Sequence, residues 1–287
     1  MIRRAETAAD LDAYARVWSE VHPDTPISGE EVQRRLAESD DGRQYLVAGA
    51  DGQVVGTGFA SRTSTPGRAA ALVAVLAAFR RRGIGSALLD ASLARARELG
   101  ASVASGSLSE AALPWAERRG FEAFDREVEL VLDLTGHEQP PVAPEGFVIG
   151  ELDEGDLDDA YRVYAEGVAD IPSSEQLAAS FERWRAEAVA APLVLVAREG
   201  RRVVGYAQLE RRTNDVLEHE LTAVARTHRR RGIARALKQT QIAWAAERGY
   251  RRLITDTHWA NEATRRLNES LGYRALPPLV WVRKELS

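Results

Sequence analysis

Hydrophobic and polar positions follow the same order of elements twice along the chain. A short strand over 2–5 precedes a helix announced by Thr7-x-x-Asp10, and Ser28-x-x-Glu31 announces a second. In both, a hydroxyl and an acid are spaced to satisfy first-turn N–H groups. Positions 44–50 and 53–61 flank Asp51-Gly52 and predict a β-hairpin, and 69–77 continues the sheet. Ile84, Ala87, Leu88 and Ala91 then recur at i, i+3, i+4 and i+7, a helix packed on a sheet, with Gly100 as its C-cap. A strand near 102–106, a helix ending at Gly120 and a terminal strand pair over 121–134 complete the set. The second round predicts a strand from Phe147, helices over 155–167 and 173–189, and strands over 193–197, 203–211 and 217–225. A helix marked by Ile233, Ala236, Leu237, Thr240 and Trp244 follows, then strand, helix, Gly272 and strand.

The repetition extends to residues. Arg80-Arg81-Arg82-Gly83-Ile84-Gly85 returns as Arg229-Arg230-Arg231-Gly232-Ile233-Ala234. Val54-Val55-Gly56 returns as Val203-Val204-Gly205, Ala13-Tyr14 as Ala160-Tyr161, and Arg119-Gly120-Phe121 as Leu271-Gly272-Tyr273. So long a period means two copies of a whole domain. Pro140, Pro141 and Pro144 suit neither helix nor central strand. The expected division is a first domain over 1–136, a linker over 137–146 and a second domain over 147–287. A chain of 287 residues has room for two such cores.

Composition narrows the chemistry. With 45% apolar and 28% charged residues the chain is ordinary globular material, and no apolar run nears the roughly 20 residues needed to cross a bilayer. Met1-Ile2-Arg3-Arg4 leads into a strand without the apolar stretch of a secretory signal, so the expected location is the cytoplasm, away from membranes. The absence of cysteine excludes disulfides, thiolate metal sites and a cysteine acyl-enzyme. No metal is expected. A net charge of −5 argues against a general nucleic-acid binder. The arginine clusters must then act locally.

Small residues between a strand and a helix N-terminus let backbone N–H groups converge where the helix dipole also favours an anion, and flanking arginines add charge-assisted hydrogen bonds. Gly83 and Gly85, or Gly232 and Ala234, allow close approach of a pyrophosphate. Neither loop is a Walker motif or a Gly-x-Gly-x-x-Gly fingerprint.

The Arg-x-x-Gly-x-Gly/Ala loop after a strand, in this order of elements, resembles the GNAT superfamily of acyl-CoA-dependent acetyltransferases. The duplicated arrangement resembles the mycothiol-synthase-like tandem architecture. The resemblance implies an α/β (α+β) fold of two GNAT domains, each a mixed, mostly antiparallel sheet flanked by about four helices. It also implies acetyl-CoA as co-substrate. Carried over residue by residue, Arg80, Arg81, Arg82, Gly83, Ile84, Gly85 and Ser86 surround phosphate in the first copy, with Val75 and Ala77 supplying backbone contacts. Arg229, Arg230, Arg231, Gly232, Ile233, Ala234 and Arg235 do so in the second, with Val224 and Arg226 on the strand.

The copies differ where chemistry would sit. The strand before the second loop reads Glu218-His219-Glu220-Leu221-Thr222 where the first has Ala69-Ala70-Ala71-Leu72-Val73. Alternation puts Glu218, Glu220 and Thr222 on one face. The resemblance implies a glutamate base on this strand, and either carboxylate fits; the plain alternative is solvated charge. His219, on the opposite face, reads as structural. Asn261 opens the last helix of the second copy, either capping it or, as in relatives, reaching the pantetheine. The tyrosine acid of many relatives is replaced by Ala116 and Asn268, and Asn268 can hold the sulfur without giving up a proton.

The expectation is direct acetyl transfer to the primary amine of a small molecule by a monomer or homodimer, with Glu218, Glu220 and Asn268 as catalytic residues. Alternatives are a non-catalytic acyl-CoA-binding sensor and catalysis in the first domain. Related folds form the acceptor pocket from segments matching 168–172 and the region near Trp281, where Asp170 would attract a cationic amine.

Overall fold

The structure, a computed structural model, describes residues 1–134, 141–171 and 178–286. It contains two compact units: Met1–Glu127 with Pro277–Ser287, and Val128–Leu276. Among the described residues no helix is long and apolar enough to cross a membrane.

The first unit contains β1 (Ile2–Arg4), α1 (Ala8–Val21), α2 (Gly29–Glu38), β2 (Gln44–Ala50), β3 (Gln53–Arg62), β4 (Arg68–Val75), α3 (Ile84–Glu98), β5 (Val103–Ser109) and α4 (Leu113–Glu117). The Thr7–Asp10 capping box forms, and Ser28 caps α2. Strands β1 to β4 pair antiparallel in chain order, and β4 pairs parallel with β5. The segment expected to be a terminal strand pair is one strand, β6 (Glu122–Asp133), whose residues 122–127 belong to this unit.

The second unit repeats the plan with β7 (Val148–Glu151), α5 (Leu157–Ala169), α6 (Phe181–Ala190), β8 (Leu193–Glu199), β9 (Arg202–Arg211), β10 (Val216–Val224), α7 (Ile233–Glu247), β11 (Arg252–His258), α8 (Glu262–Ser270) and β12 (Arg274–Ala275). Strands β7 to β10 are antiparallel and β10 is parallel to β11. Of the helix expected over 173–189, residues 173–177 lie outside the described residues, and α6 begins only at Phe181. Linker positions 137–140 are likewise outside them, while 141–146 fall within the second unit.

Each unit is completed by a strand from the other repeat. In the first, β13 (Leu279–Glu285) lies antiparallel between β5 and residues 122–127 of β6. In the second, residues 128–133 of β6 lie beside β11 and pair with β12. The units are therefore not the contiguous 1–136 and 147–287 of the sequence reading. Local pattern marks these segments as strands, but strand partners are chosen by long-range burial. Val280 and Val282 are buried among Leu89, Leu93, Ala104 and Phe121 of the first unit.

The helices after the Arg-Gly loops keep the expected stripe only in part. In α3 the buried residues are Leu88, Leu89, Ser92, Leu93 and Ala96, while Ala87 is exposed. In α7 Ile233, Ala236 and Leu237 of the expected stripe are buried, together with Lys238, Gln241, Ile242 and Ala245. Alanine is too small to mark a face by itself, and in α7 the inward row contains polar residues that a hydrophobic pattern passes over.

Candidate active site

Each Arg-Gly loop follows a single 3-10 turn and leads into α3 or α7. Gly83 and Gly232, the N-cap residues, have φ of 81° and 82°, the left-handed region that glycine enters without a Cβ penalty. Arg81 and Arg230 are also left-handed, at φ 62° and 63°, where a non-glycine residue is strained. Strain kept at the same place in both repeats marks a backbone shaped for something other than its own stability. Thr7, Ser28, Ser180 and Asn261 cap α1, α2, α6 and α8 through their side chains, but α3 and α7 have no side-chain cap. Their first N–H groups thus remain for a ligand. That arrangement fits a pyrophosphate in either unit.

The arginines divide the work. Arg80 and Arg229 donate through Nε to the carbonyls of Val75 and Val224, at 2.9 and 3.0 Å, and so fix the loops to the strand ends. Arg81 and Arg230 have no ion-pair partner among the described residues and are exposed. Arg82 lies over the Phe79 ring, and Arg231 lies over Phe147 with Glu199 at 3.3 Å. Ile84 and Ile233 contribute only backbone to the loop, since their side chains enter the apolar core. Ser86 accepts a hydrogen bond from Arg119, while Arg235 donates to Ser270 at 2.7 Å. Ala77 and Arg226 open the 3-10 turns, and the Arg226 N–H donates to Glu166 at 2.6 Å.

Asp170 does not serve as a free anchor for an amine. It pairs with both Arg226 and Arg229, and these hydrogen bonds, Arg226 first, hold its carboxyl down at about 2. Trp281 is likewise absent from the second unit; it lies on β13, paired with Ser107 and Asp125 of the first.

Behind each loop the two parallel strands part. Pairing of β4 with β5 ends at Ala70–Ser105, although the strands run on to Val75 and Ser109. Pairing of β10 with β11 ends at the matching place, His219–Thr255. In the first unit the gap is a cavity of about 60 Å³ lined by Ala71, Leu89, Gly106, Ala116, Phe121 and Val282, among others. The second unit has Glu220, Lys238, Asp256, Asn268 and Tyr273 where the first has Ala71, Leu89, Gly106, Ala116 and Phe121. One scaffold thus carries an apolar lining in one unit and a polar one in the other.

A bulge alters the expected row of carboxylates. His219 pairs with Leu209 and Leu221 with Gln208, leaving Glu220 as the extra residue, so alternation does not carry from Glu218 through Glu220 to Thr222. Glu218 is partly buried and accepts from Arg212 at 3.1 Å, whereas Glu220 is exposed. Asn268 is fully buried, and neither its Oδ1 nor its Nδ2 has a partner among the described residues. An unpaired buried amide is costly, and its position at the gap offers both atoms to a ligand. Asn261 takes the capping role, accepting from the Thr264 N–H at 3.2 Å.

Sequence reasoning missed the groups behind this lining. His219 contacts Gln241 Oε1 through Nδ1 at 2.8 Å and the Tyr273 hydroxyl through Nε2 at 2.5 Å. Burial, then the nearby Lys238 charge, hold His219 well below its usual value, so the ring is neutral. With the amide oxygen facing it, Nδ1 donates and Nε2 accepts from Tyr273. Lys238 is 2% exposed, with Nζ 5.7 Å from the centre of the Tyr273 ring. The signal available in sequence was a comparison of repeats position by position: Lys238 stands where Leu89 does, and Gln241 where Ser92 does.

Burial pushes Lys238 down to about 7 from 10.5, with Asp256 partly opposing it. Because the folded value is the lower one, the unfolded chain holds this proton across that window while the folded chain gives it up. The cost to stability is full below pH 7 and fades as pH rises toward 10.5. Lys238→Met is expected to stabilise the protein at pH 6 by roughly 2–4 kcal/mol, with a much smaller gain at pH 10. Urea unfolding at the two pH values measures this; equal gains would mean that the lysine is not held neutral.

The Acetyltransferase (GNAT) family model matches twice, over residues 10–121 and 156–273. No curated protein matches the sequence. Among solved structures, the chain is similar to a GCN5-related N-acetyltransferase from Sphaerobacter thermophilus, with TM-score 0.77 and 23% identity, over 99% of this chain and 95% of that one. It is also similar to a tandem GNAT protein from the clavulanic acid biosynthesis pathway, with TM-score 0.76 and 17% identity, over 99% and 98%. A putative acetyltransferase from Pyrococcus horikoshii matches with TM-score 0.64 and 18% identity, over 100% and 89%. The paired loops, the parting strands and the two family matches agree: the chain belongs to the GNAT acetyltransferase family, as an acyltransferase of tandem architecture.

Proposed function

We propose that the protein transfers an acetyl group from acetyl-CoA directly to the primary amine of a small molecule, with the chemistry in the second unit. The observation that carries this reading is the contrast between the two gaps. Direct transfer needs a base for the acceptor ammonium, a donor near the developing charge, and a proton for the departing thiolate. Glu218 and Glu220 on β10 supply carboxylates beside the gap, and Asn268 supplies an unpartnered buried amide. The first unit has a similar cradle but Ala69, Ala71 and Ala116 at the corresponding places. Its apolar cavity favours a second reading for that unit alone, in which it binds acyl-CoA without turning it over.

Thiol release from acetyl-CoA with a panel of amines tests the reading. Either Glu218→Gln or Glu220→Gln is expected to lower kcat by about 10²–10⁴-fold. Glu218→Gln also weakens the contact with Arg212, so unfolding of that variant is followed beside its kcat. A protein that binds CoA tightly but is indifferent to both substitutions is a binding module and not this enzyme.

A further inference from the structure

We propose that Lys238 is the acid that protonates the CoA thiolate as it departs in the second unit, the role that Asn268 cannot fill. The inference rests on the acetyl-transfer reading and assigns it a residue. Lys238 lies on α7 six residues beyond Gly232, close to 9 Å along the helix from the anion cradle at about 1.5 Å per residue. It replaces Leu89, which lines the cavity between the parted strands of the first unit. A lysine buried this deeply is disfavoured unless something answers its charge.

The groups around it are suited to handling a proton. From β10 the neighbour is His219, which is neutral; from β11 it is Asp256; after α8 it is Tyr273, whose hydroxyl burial keeps protonated. On its own helix Gln241 is occupied with His219. Burial first, then the Glu218 charge, raise Asp256 to about 6, so near neutrality this carboxyl also holds and gives up a proton.

The step balances without any further reagent. Glu218 or Glu220 takes one proton from the acceptor ammonium, the amine nitrogen bonds to the acetyl carbon, and the carbon–sulfur bond breaks with its electron pair on sulfur. Nζ of Lys238 gives its proton to that sulfur and is recharged through Asp256. The second proton leaves the nitrogen to water as the amide forms, so of the two protons lost by the ammonium one makes good the proton given to sulfur and one is released. A group titrating near neutrality suits such a donor, because it is protonated at the start and gives the proton up readily.

The sequence contains only two lysines, Lys238 and Lys284. Protein labelled with ¹³C at lysine Cε therefore gives two resonances, assigned by the loss of one in Lys238→Arg. The Lys238 signal is expected to titrate near pH 7 in the protein without substrates and to shift when CoA is added, while Lys284 does neither. Lys238→Met is expected to lower kcat with acetyl-CoA about 100-fold while changing the KM for acetyl-CoA less than about threefold. It should also remove the fall in kcat above neutral pH. An acetyl donor with a nitrothiophenol leaving group, whose thiolate departs unprotonated, should narrow the gap between variant and natural protein.

A Lys238 resonance that ignores CoA and titrates above pH 9 overturns the proposal even in an active enzyme, as does an unchanged kcat in Lys238→Met. A gain of one acetyl mass at Lys238 after exposure to acetyl-CoA overturns it in favour of the lysine as acceptor. A CoA-sensitive titration with no turnover on any amine instead overturns the acetyl-transfer reading beneath it.

Discussion

Deleting residues 277–287 is expected to unfold the unit that begins at Met1 and to spare the unit that immediately precedes the deletion. Strand β13 pairs with β5 at seven positions from Leu279–Ser109 to Glu285–Val103, and it buries Val280 and Val282 at 1% and 3% exposure. Lys284 adds a hydrogen bond to the Arg119 carbonyl at 2.5 Å. Fully burying a valine is worth about 1.5–3 kcal/mol. Two such side chains and a strand ladder lost together amount to roughly 5 kcal/mol or more, most of an ordinary domain's stability. The deletion also leaves β5 as a raw edge. Hydrogen exchange resolved by peptide should show amides of β4 and β5 losing protection while those of β8, β9 and β10 keep it. Lost protection in β10 and β11 with an intact first unit would mean that the strand exchange is not present in solution.

Gly232→Asp is expected to cost the second unit at least about 100-fold in CoA affinity and to stop turnover. The substitution places a carboxylate beside N–H groups that would otherwise meet phosphate, and it does so at φ 82°, where a side chain is already strained. Pro144 Cγ lies 3.4 Å from where the new Cβ would be, so the strain comes from the backbone angle and not from crowding. Gly232→Ala separates the two effects, since it carries the strain, about 1–2 kcal/mol, without the charge. Calorimetry with CoA, together with thiol release, measures both. Gly83→Asp makes the same change in the first unit; if that variant is the one that stops turnover, the chemistry belongs there and the polar gap of the second unit has another purpose.

Much of this protein was legible along the chain because the repeats were read against each other. The hairpin at Asp51-Gly52, the caps at Thr7 and Ser28, and the glycine at the start of each loop helix depend on residues within a few positions, so the sequence carries them directly. The same holds for the two Arg-Gly loops, whose left-handed glycines and adjacent arginines are contiguous. Other readings failed for identifiable reasons. The row of Glu218, Glu220 and Thr222 assumed unbroken alternation, and one extra residue opposite Leu209 and Gln208 removed it. Asp170 looked available to a substrate because nothing nearby in sequence neutralises it, yet Arg226 and Arg229 lie 56 and 59 positions away. Lys238 was passed over because a charged residue adds nothing to the apolar stripe by which a helix face is read.

Sequence alone determined that one fold is used twice, that each copy opens a helix at an Arg-Gly loop, and that cysteine chemistry is excluded. These are matters of composition and short-range spacing. Tertiary structure decided which unit each terminal strand completes, and it brought His219, Lys238, Gln241 and Tyr273 together from three separate elements in one buried cluster. Both depend on what the core can bury and which distant partners can satisfy a polar group once water is gone, and those conditions exist only after the chain has closed on itself.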